Sequence, residues 1–176
     1  MIAKIRKWKL SDAADLALAL SNKKIQNNLR DGLPYPYTEQ DGKEYISAML
    51  SANENETFAF AITVDNKVIG SIGVFRQKNV HKLTAELGYY IAEEYWGQGI
   101  MTEALKAVMR FDFLELNVPV IYISHVRANI GSGKVQEKCG FEVFNEVPNY
   151  RVWIDGTNTD LVERKMTRDQ YLDKQL

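Results

Sequence analysis

The stretch that decides the fold is Tyr95-Trp96-Gly97-Gln98-Gly99-Ile100-Met101-Thr102-Glu103-Ala104-Leu105, or YWGQGIMTEAL. An apolar run typical of a strand precedes its two glycines, and a helical pattern follows them. Glycine is costly inside either element, so two glycines at this junction indicate a backbone that turns sharply or lies close to another molecule.

A strand, a Gly-x-Gly turn and a helix N-terminus together can bind an anion, because the first N–H groups of the helix lack intrahelical partners. A nucleoside triphosphatase loop needs a lysine directly after its glycines, and here Ile100, Met101 and Thr102 follow them. The dinucleotide fingerprint fails too, because its third glycine would fall at Thr102. Residues 83–105 contain no Lys or Arg. The pattern therefore predicts either a diphosphate held by amides alone or a plain structural turn.

The composition is that of one globular domain over residues 1–176, with 45% hydrophobic and 26% charged residues. The 22 basic and 23 acidic residues argue against a nucleic-acid partner that depends on bulk charge. Cys139 is the single cysteine. It excludes an internal disulfide, and with two histidines it cannot build a zinc cluster, so no metal is expected.

The first 20 residues break their apolar positions with charges, which is not the pattern of a signal peptide. No run approaches the roughly 20 apolar residues that cross a bilayer. We therefore expect a soluble, cytoplasmic protein without a membrane partner.

Hydrophobic periodicity predicts the element order βααβββαβαββ, which implies a mixed sheet covered by helices. Ser11 is expected to cap the first helix and Thr38 the second, on either side of a proline-containing loop at 31–38. Gly140 is expected to end the last helix. The predicted strands cover residues 3–9, 58–64, 68–75, 83–92, 119–126, 141–147 with 151–154, and the region of 161–166, and the later helices cover 99–116 and 129–139.

Residues 129–141 read NIGSGKVQEKCGF, and residues 86–104 read ELGYYIAEEYWGQGIMTEA. Together they strongly resemble the GNAT superfamily of N-acetyltransferases, and within it the Rim-type branch that acetylates ribosomal-protein N-termini. That pattern has a W-G-x-G-x-x-T-E-A turn and helix, followed by an N-x-x-S-x-x-V-x-E-K-x-G-F helix. The loop at 33–38, LPYPYT, also resembles the linker between the first two helices of this branch. The resemblance covers residues 5–166.

The resemblance implies the acyl-CoA N-acyltransferase fold, an α+β fold with a mixed, mostly antiparallel central sheet of about seven strands flanked by helices. It also implies acetyl-CoA as cosubstrate. The pyrophosphate would lie on the amides after the glycines, the pantetheine arm would pair with the strand before them, and the thioester sulfur would lie near Ser132. The implied acetyl-CoA-binding residues are Tyr90, Ile91, Gly97, Gln98, Gly99, Met101, Thr102, Asn129 and Ser132.

Catalysis by such an enzyme needs a base, because an α-amino group has a pKa of about 8 and a lysine about 10.4. Glu86 is the predicted base, directly or through water; the alternative is a solvated strand carboxylate. An amide near Tyr90 or Ile91 is the expected oxyanion donor. Many members of the superfamily protonate the departing thiolate with a tyrosine, but Gln136 occupies that position. Ser132 is therefore the predicted acid, with a plain first-turn hydroxyl as the alternative.

Other reactive side chains have simpler interpretations. His125 lies in a β-branched run and is expected to be structural, and Cys139 is expected to pack in the core and not to act as a nucleophile. Lys134 and Lys138 either meet the 3′-phosphate of CoA or are solvated. The tyrosines of the loop at 35–37 are expected to line the acceptor pocket.

The sequence thus predicts an acetyl-CoA-dependent N-acetyltransferase that works by direct attack in a ternary complex. The acceptor would be a protein N-terminus or a small amine, and Glu86, Glu93 and Glu94 would suit a cationic one. A non-catalytic acyl-CoA-binding module or sensor is the alternative, and a P-loop-like kinase is a third hypothesis. Dimers are common in the Rim-type branch, so a monomer and a homodimer both stay open.

Overall fold

The computed structural model describes residues 3–29, 32–152 and 156–174. Seven strands form one sheet in the order β1-β2-β3-β4-β5-β7-β6. The strands are β1 Lys4–Lys7, β2 Thr57–Val64, β3 Lys67–Arg76, β4 Thr84–Ile91, β5 Val120–Val126, β6 Glu142–Val152 and β7 Asn158–Thr167. The helices are α1 Ala13–Leu20, α2 Lys23–Gln26, α3 Glu39–Ser51, α4 Ile100–Arg110, α5 Ile130–Lys138 and α6 Arg168–Lys174. Every strand pair is antiparallel except β4–β5. The predicted fold class is confirmed, and seven strands occur along the chain as predicted.

Helices cover both faces of the sheet and bury two apolar clusters. On one face, the apolar stripe of α4 packs against β4 and β5, and Leu105 and Met109 are fully buried there. On the other face, α1 and α3 bury Leu16 and Ile46 against β2 and β3. Each such side chain contributes roughly 1.5–3 kcal/mol when removed from water. The sheet is therefore held from both sides.

The β2–β3 hairpin turns through Asp65 and Asn66, whose φ angles are 49° and 68°. Two consecutive residues in the left-handed region form the turn that matches the twist of a hairpin, and Asp and Asn tolerate that region best after glycine. The predicted hairpin is confirmed, with Lys67 already in β3.

The first helix begins differently from the prediction. A 3₁₀ turn at Leu10–Asp12 precedes α1, and the Ser11 side chain caps neither helix. Instead the Asp12 carboxylate accepts a hydrogen bond from the Lys9 N–H at 2.8 Å and pairs with Arg6 at 2.7 Å. The Asp12 carboxylate, and not the Ser11 hydroxyl, takes this position because the charge of Arg6 in β1 holds it there. Thr38, in contrast, caps α3 together with Asp41 as expected.

Several elements were not predicted from the sequence. These are the short helix α2, the C-terminal helix α6 and a π turn at Phe111–Glu115 that ends α4. The predicted strand at 151–154 forms the end of β6 up to Val152, and its residues 153 and 154 lie outside the described residues. Within the described ranges, no helix is long and apolar enough to cross a membrane.

Asp112 is a buried carboxyl group in the π turn. It is 0% exposed, and neither carboxylate oxygen has a hydrogen-bond partner among the described residues. Burial raises the pKa of Asp112 to about 8, although the charge of Arg76 opposes this shift. The group is therefore mostly protonated at neutral pH, because a neutral carboxyl costs less to bury than a carboxylate.

We expect the stability of the protein to fall, relative to Asp112→Asn, as the pH rises from 3.8 to about 8. In this window the unfolded chain has released the Asp112 proton and the folded chain keeps it. Each pH unit then removes up to about 1.4 kcal/mol from the free energy of unfolding. Urea unfolding at one-unit pH intervals measures the slope.

Asp41→Asn is the control. Hydrogen bonds from Thr38 lower the pKa of Asp41, so its contribution is constant above pH ~5 and is lost only in acid. A pH-independent difference between the parent and Asp112→Asn would contradict the assignment.

Candidate active site

The site is a cleft that opens where two parallel strands separate. β4 and β5 pair only from Thr84↔Val120 to Leu87↔Ile123. Beyond this point β4 stays with β3 and β5 stays with β7. The β4 edge at residues 88–91 therefore faces the cleft without a strand partner, as a template for an extended ligand. The cavity has a volume of about 1230 Å³, more than one drug-sized ligand fills.

One end of the cleft is the turn before α4. Gly97 and Gly99 have φ angles of 73° and 79°, in the left-handed region, where a side chain costs about 1–2 kcal/mol. A Cβ added at either glycine would meet no atom within 4 Å, so the turn is open to the cleft. The first helical hydrogen bond of α4 runs from the Glu103 N–H to the Gly99 carbonyl at 3.2 Å. The earlier N–H groups, including those of Met101 and Thr102, therefore have no acceptor within the helix.

Two side chains fix this turn. The Trp96 indole N–H donates to the Ile91 carbonyl at 2.9 Å, and the Gln98 amide donates to the Glu94 carbonyl at 2.9 Å. The Gln98 side chain is thus tied to the loop behind the turn, which leaves only its backbone amide for a ligand. The structure brings the predicted diphosphate-binding residues together at one helix N-terminus.

Alternation along β4 distributes its side chains over the two faces of the sheet. Tyr89 packs with the apolar cluster on the α4 face of the sheet, whereas Tyr90 packs with the cluster on the face that α1 and α3 cover. Glu86 and Gly88 share the face of Tyr90 because they lie four and two residues before it, respectively. Glu86 is exposed and lines the cavity, and its carboxylate has no hydrogen bond or ion pair within the described part of the chain. Burial raises the pKa of Tyr90 well above its ordinary value.

Ser132 lies across the cleft in the first turn of α5. Asn129, at which the predicted helix begins, caps this helix, because its side-chain oxygen accepts the Ser132 N–H at 3.1 Å. This bond leaves the Asn129 amide NH₂ as the group that can meet a ligand. The Ser132 Oγ lies 2.9 Å from the hydroxyl of Tyr89, and burial raises the pKa of Tyr89 to about 12.

The contacts behind Ser132 were not predicted from the sequence. Gln136 is 0% exposed, and its Nε2 lies 3.2 Å from both the Ser132 Oγ and the Ser124 carbonyl. The Nδ1 of His125 lies 3.1 Å from the Gln136 Oε1, and burial lowers the pKa of His125. The contact between Ser132 and Gln136 could have been predicted, because residues four apart are neighbours on a helix. Nothing local signalled Tyr89.

One prediction about the acceptor side is wrong, and another, that the loop of Tyr35 and Tyr37 forms a wall of the pocket, holds for Gly32, Leu33 and Tyr37. Glu93 and Glu94 do not line the cavity: Glu93 pairs with Lys24, and Glu94 pairs with Lys67 at 3.7 Å. Tyr35 is 54% exposed and does not line the cavity, although Tyr37 does. The α1–α3 side of the cavity is mostly apolar, and its lining residues include Leu20, Ile25, Leu29, Leu33, Tyr37 and Tyr45.

Lys134 and Lys138 line the cavity, so the structure keeps both as candidates for a phosphate. Cys139 is fully buried, and its Sγ lies 3.6 Å from the Thr102 carbonyl. Burial raises the pKa of the Cys139 thiol to about 11. A buried, protonated thiol is a packed side chain and not a nucleophile, as predicted. No group of three metal-ligating side chains occurs in the ranges that the structure describes.

The sequence matches the family model for the acetyltransferase (GNAT) domain over residues 4–142. The chain belongs to the GNAT acetyltransferase family. Among relatives of this GNAT chain is the probable N-acetyltransferase YjcK of Bacillus subtilis, with 34% identity over 92 residues. That match covers 52% of this chain and spans about half, 51%, of YjcK.

Solved structures agree on the GNAT fold. The ribosomal-protein-S5-alanine acetyltransferase from Vibrio fischeri aligns with a TM-score of 0.80 at 23% identity, covering 96% of this chain and 94% of that one. The microcin C7 self-immunity acetyltransferase MccE, in complex with acetyl-CoA and AMP, aligns with a TM-score of 0.77 at 18% identity, covering 94% and 92%. At these identities the likeness shows the fold.

We expect Gly99→Ala to weaken CoA binding by about tenfold, because a strain of about 1.4 kcal/mol in the bound turn corresponds to that factor. Titration calorimetry with CoA measures the affinity. Gly156→Ala is the matched control, since Gly156 has φ 85°, has no atom within 4 Å of an added Cβ and lies outside the cavity. Equal CoA affinity in the two variants would show that the turn holds no pyrophosphate.

Proposed function

We propose that this GNAT chain transfers an acetyl group from acetyl-CoA to a primary amine by direct attack in a ternary complex. The observation that carries the proposal is the cleft between β4 and β5. The cleft joins the N-terminus of α4, which can bind an anion, to the Glu86 carboxylate on one face of the sheet and the Ser132 hydroxyl on the other. A cavity of about 1230 Å³ has room for both substrates.

In this proposal, acetyl-CoA lies along the cleft with its pyrophosphate on the amides of the turn before α4. The glycines leave that turn open, and the unpaired β4 edge receives the pantetheine arm as an added strand would. The bound state of MccE with acetyl-CoA supports this choice of ligand for the fold. The proposed binding residues are Tyr90, Ile91, Gly97, Gln98, Gly99, Met101, Thr102, Asn129 and Ser132.

The amine arrives protonated at neutral pH, so a base must act before attack. Glu86 takes this proton, directly or through water, and the free nitrogen forms a bond to the thioester carbon. An amide N–H near Tyr90 or Ile91 donates to the carbonyl oxygen as it gains charge. Glu86 suits the base because it is open to the cavity and no cation of the described chain is paired with it.

When the C–S bond breaks, its electron pair goes to sulfur, and Ser132 supplies a proton to the thiolate. The nitrogen loses two protons in all: Glu86 passes the first to solvent, and the second restores the Ser132 hydroxyl. The products are an amide, free CoA and one proton. Base and acid lie on opposite faces of β4, so each can reach a different reacting atom, Glu86 the amine nitrogen and Ser132 the sulfur.

The lining of the acceptor side supports an amine with one positive charge beside an apolar group. Glu86 is the one carboxylate among the described residues that line the cavity, and the surrounding surface is built from leucines, Ile25 and tyrosines. A polyamine or an aminoglycoside would bring several charges without partners. A protein N-terminus with an apolar first side chain, or a small apolar amine, fits this surface.

The Rim-type branch, the single domain over residues 1–176 and a cytoplasmic location belong to the same proposal. The two sequence motifs and the likeness to the Vibrio fischeri enzyme support the branch, and the buried thiol of Cys139 is compatible with a reducing compartment. A homodimer, common in that branch, is open to sedimentation analysis.

An acetylation screen over amines and N-terminal peptides, followed by release of free CoA, tests the function. We expect turnover with apolar N-termini, and a loss of about 10²-fold in kcat/KM for Glu86→Gln with unchanged acetyl-CoA affinity. Glu94→Gln is the control, because this carboxylate lies on the adjacent loop and outside the cavity. Tight acetyl-CoA binding without turnover for any amine would favour the sensor, and tight ATP binding without CoA binding would favour the kinase.

Gly88→Val should block the acceptor and spare the cosubstrate. A Cβ at Gly88 would meet no atom within 4 Å, so the fold accepts a side chain there, and this side chain would project on the face of Glu86. We expect kcat/KM for the amine to fall at least about tenfold, since misplacement of a reactant by an ångström can cost up to about 10²-fold. Calorimetry should give an acetyl-CoA affinity within about threefold of the parent. An unchanged kcat/KM would place the amine elsewhere.

A further inference from the structure

A chain of four side chains lies behind the cleft and connects Tyr89, Ser132, Gln136 and His125 through contacts of 2.9–3.2 Å. We propose that Tyr89 and Gln136 are positioning residues that saturate both lone pairs of the Ser132 hydroxyl, so that Ser132 can offer only its proton to a third group. This inference rests on the proposed role of Ser132 as the donor to the departing thiolate.

The orientation of the Gln136 amide follows from its partners. A backbone carbonyl can only accept, so the group 3.2 Å from the Ser124 carbonyl must be the NH₂ of Gln136. The same NH₂ then donates its second hydrogen to the Ser132 Oγ, also at 3.2 Å. The first lone pair of Ser132 is thereby occupied.

His125 locks this orientation from the other end. With its NH₂ committed, Gln136 presents its oxygen to the His125 Nδ1 at 3.1 Å, so Nδ1 must carry a hydrogen. The imidazole ring lies against the backbone of α5, where a Cβ at Gly133 would approach the His125 Nε2 to 2.8 Å. A glycine at this position therefore makes room for the ring.

Tyr89 occupies the second lone pair. Its hydroxyl lies 3.2 Å from the Ser132 carbonyl, which can only accept, and 2.9 Å from the Ser132 Oγ. In this proposal the single phenol hydrogen goes to the nearer acceptor, the Ser132 Oγ, and the Ser132 carbonyl is its second, more distant acceptor. The remaining hydrogen of Ser132 is left for the cavity, which Ser132 and Tyr89 both line.

A hydroxyl held in this way meets the need of the leaving sulfur. A free serine can accept or donate, so it can also turn a lone pair toward a developing thiolate. With both lone pairs occupied, the Ser132 hydroxyl can only donate to the leaving sulfur. The donor is then in place before charge develops on the sulfur. Gln136 thus orients the donor at the position where many superfamily members have the acid itself.

A double-mutant cycle tests the proposal. We expect Tyr89→Phe to lower kcat about tenfold, the loss typical of one hydrogen bond, with the KM for acetyl-CoA within about twofold. On a Ser132→Ala background the same substitution should change kcat by less than about twofold, because Tyr89 acts through Ser132. Gln136→Met should behave in the same way, provided that its melting temperature shows a folded protein.

Tyr171→Phe is the control, since Tyr171 is buried against Phe113, away from the cavity. Equal losses from Tyr89→Phe on both backgrounds, or no loss on the parent, would overturn the positioning role while Ser132 keeps its function. If Ser132→Ala itself leaves kcat unchanged, the proposed acid is wrong, and this inference falls with it.

The tautomer of His125 provides a measurement that does not depend on turnover. Nitrogen chemical shifts should show neutral His125 with its hydrogen on Nδ1, and Gln136→Met should shift that resonance. A neutral ring with its hydrogen on Nε2 would leave the Gln136 oxygen without a donor and would overturn the orientation of the whole chain.

Discussion

The parallel pairing of β4 and β5 is the constraint on which the site depends, and it ends after four residue pairs. Each strand is held on its other side by an antiparallel neighbour, so the two can diverge without either one losing its place in the sheet. The divergence creates a gap through the middle of the sheet. A gap of this kind is accessible from both faces, which is unusual in a packed domain, and it lets groups that belong to two separate apolar clusters meet one substrate.

Electrostatics divide the cleft into two parts with different tasks. The end with the Gly-x-Gly turn has no cation between residues 83 and 105, so the anion binding proposed there would depend on backbone dipoles and on lysines from α5. Behind the reacting centre, the polar groups are neutral: burial keeps Tyr89 protonated and His125 uncharged. Neutral donors cost less to bury than ions, and their hydrogen bonds still have a fixed direction. In the proposed function, this arrangement would hold the ligand through charge at one end and would orient a proton with neutral groups at the other.

The parts of this structure that the sequence predicted are those that depend on local patterns. The Gly-x-Gly turn, the Asn129 cap and the alternation of β4 each require only a few neighbouring residues. The environment of Ser132 needed Tyr89, which is 43 residues away and reaches it only through the β4–β5 pairing. Glu93 was misjudged for a similar reason, because its partner Lys24 lies 69 residues earlier in the chain. Composition shows that a carboxylate is present but not whether a distant lysine neutralises it.

The alternation of β4 has a consequence for how this strand can change during evolution. Glu86 and Tyr89 are an odd number of residues apart, so they lie on opposite faces, and each face has its own partner. Inserting or deleting one residue between them would put both side chains on the same face, and no rotamer change could restore the separation. The loops that surround the cleft can vary in length. The three-residue interval between Glu86 and Tyr89 cannot change by one residue without placing the proposed base and the partner of the proposed acid on one face.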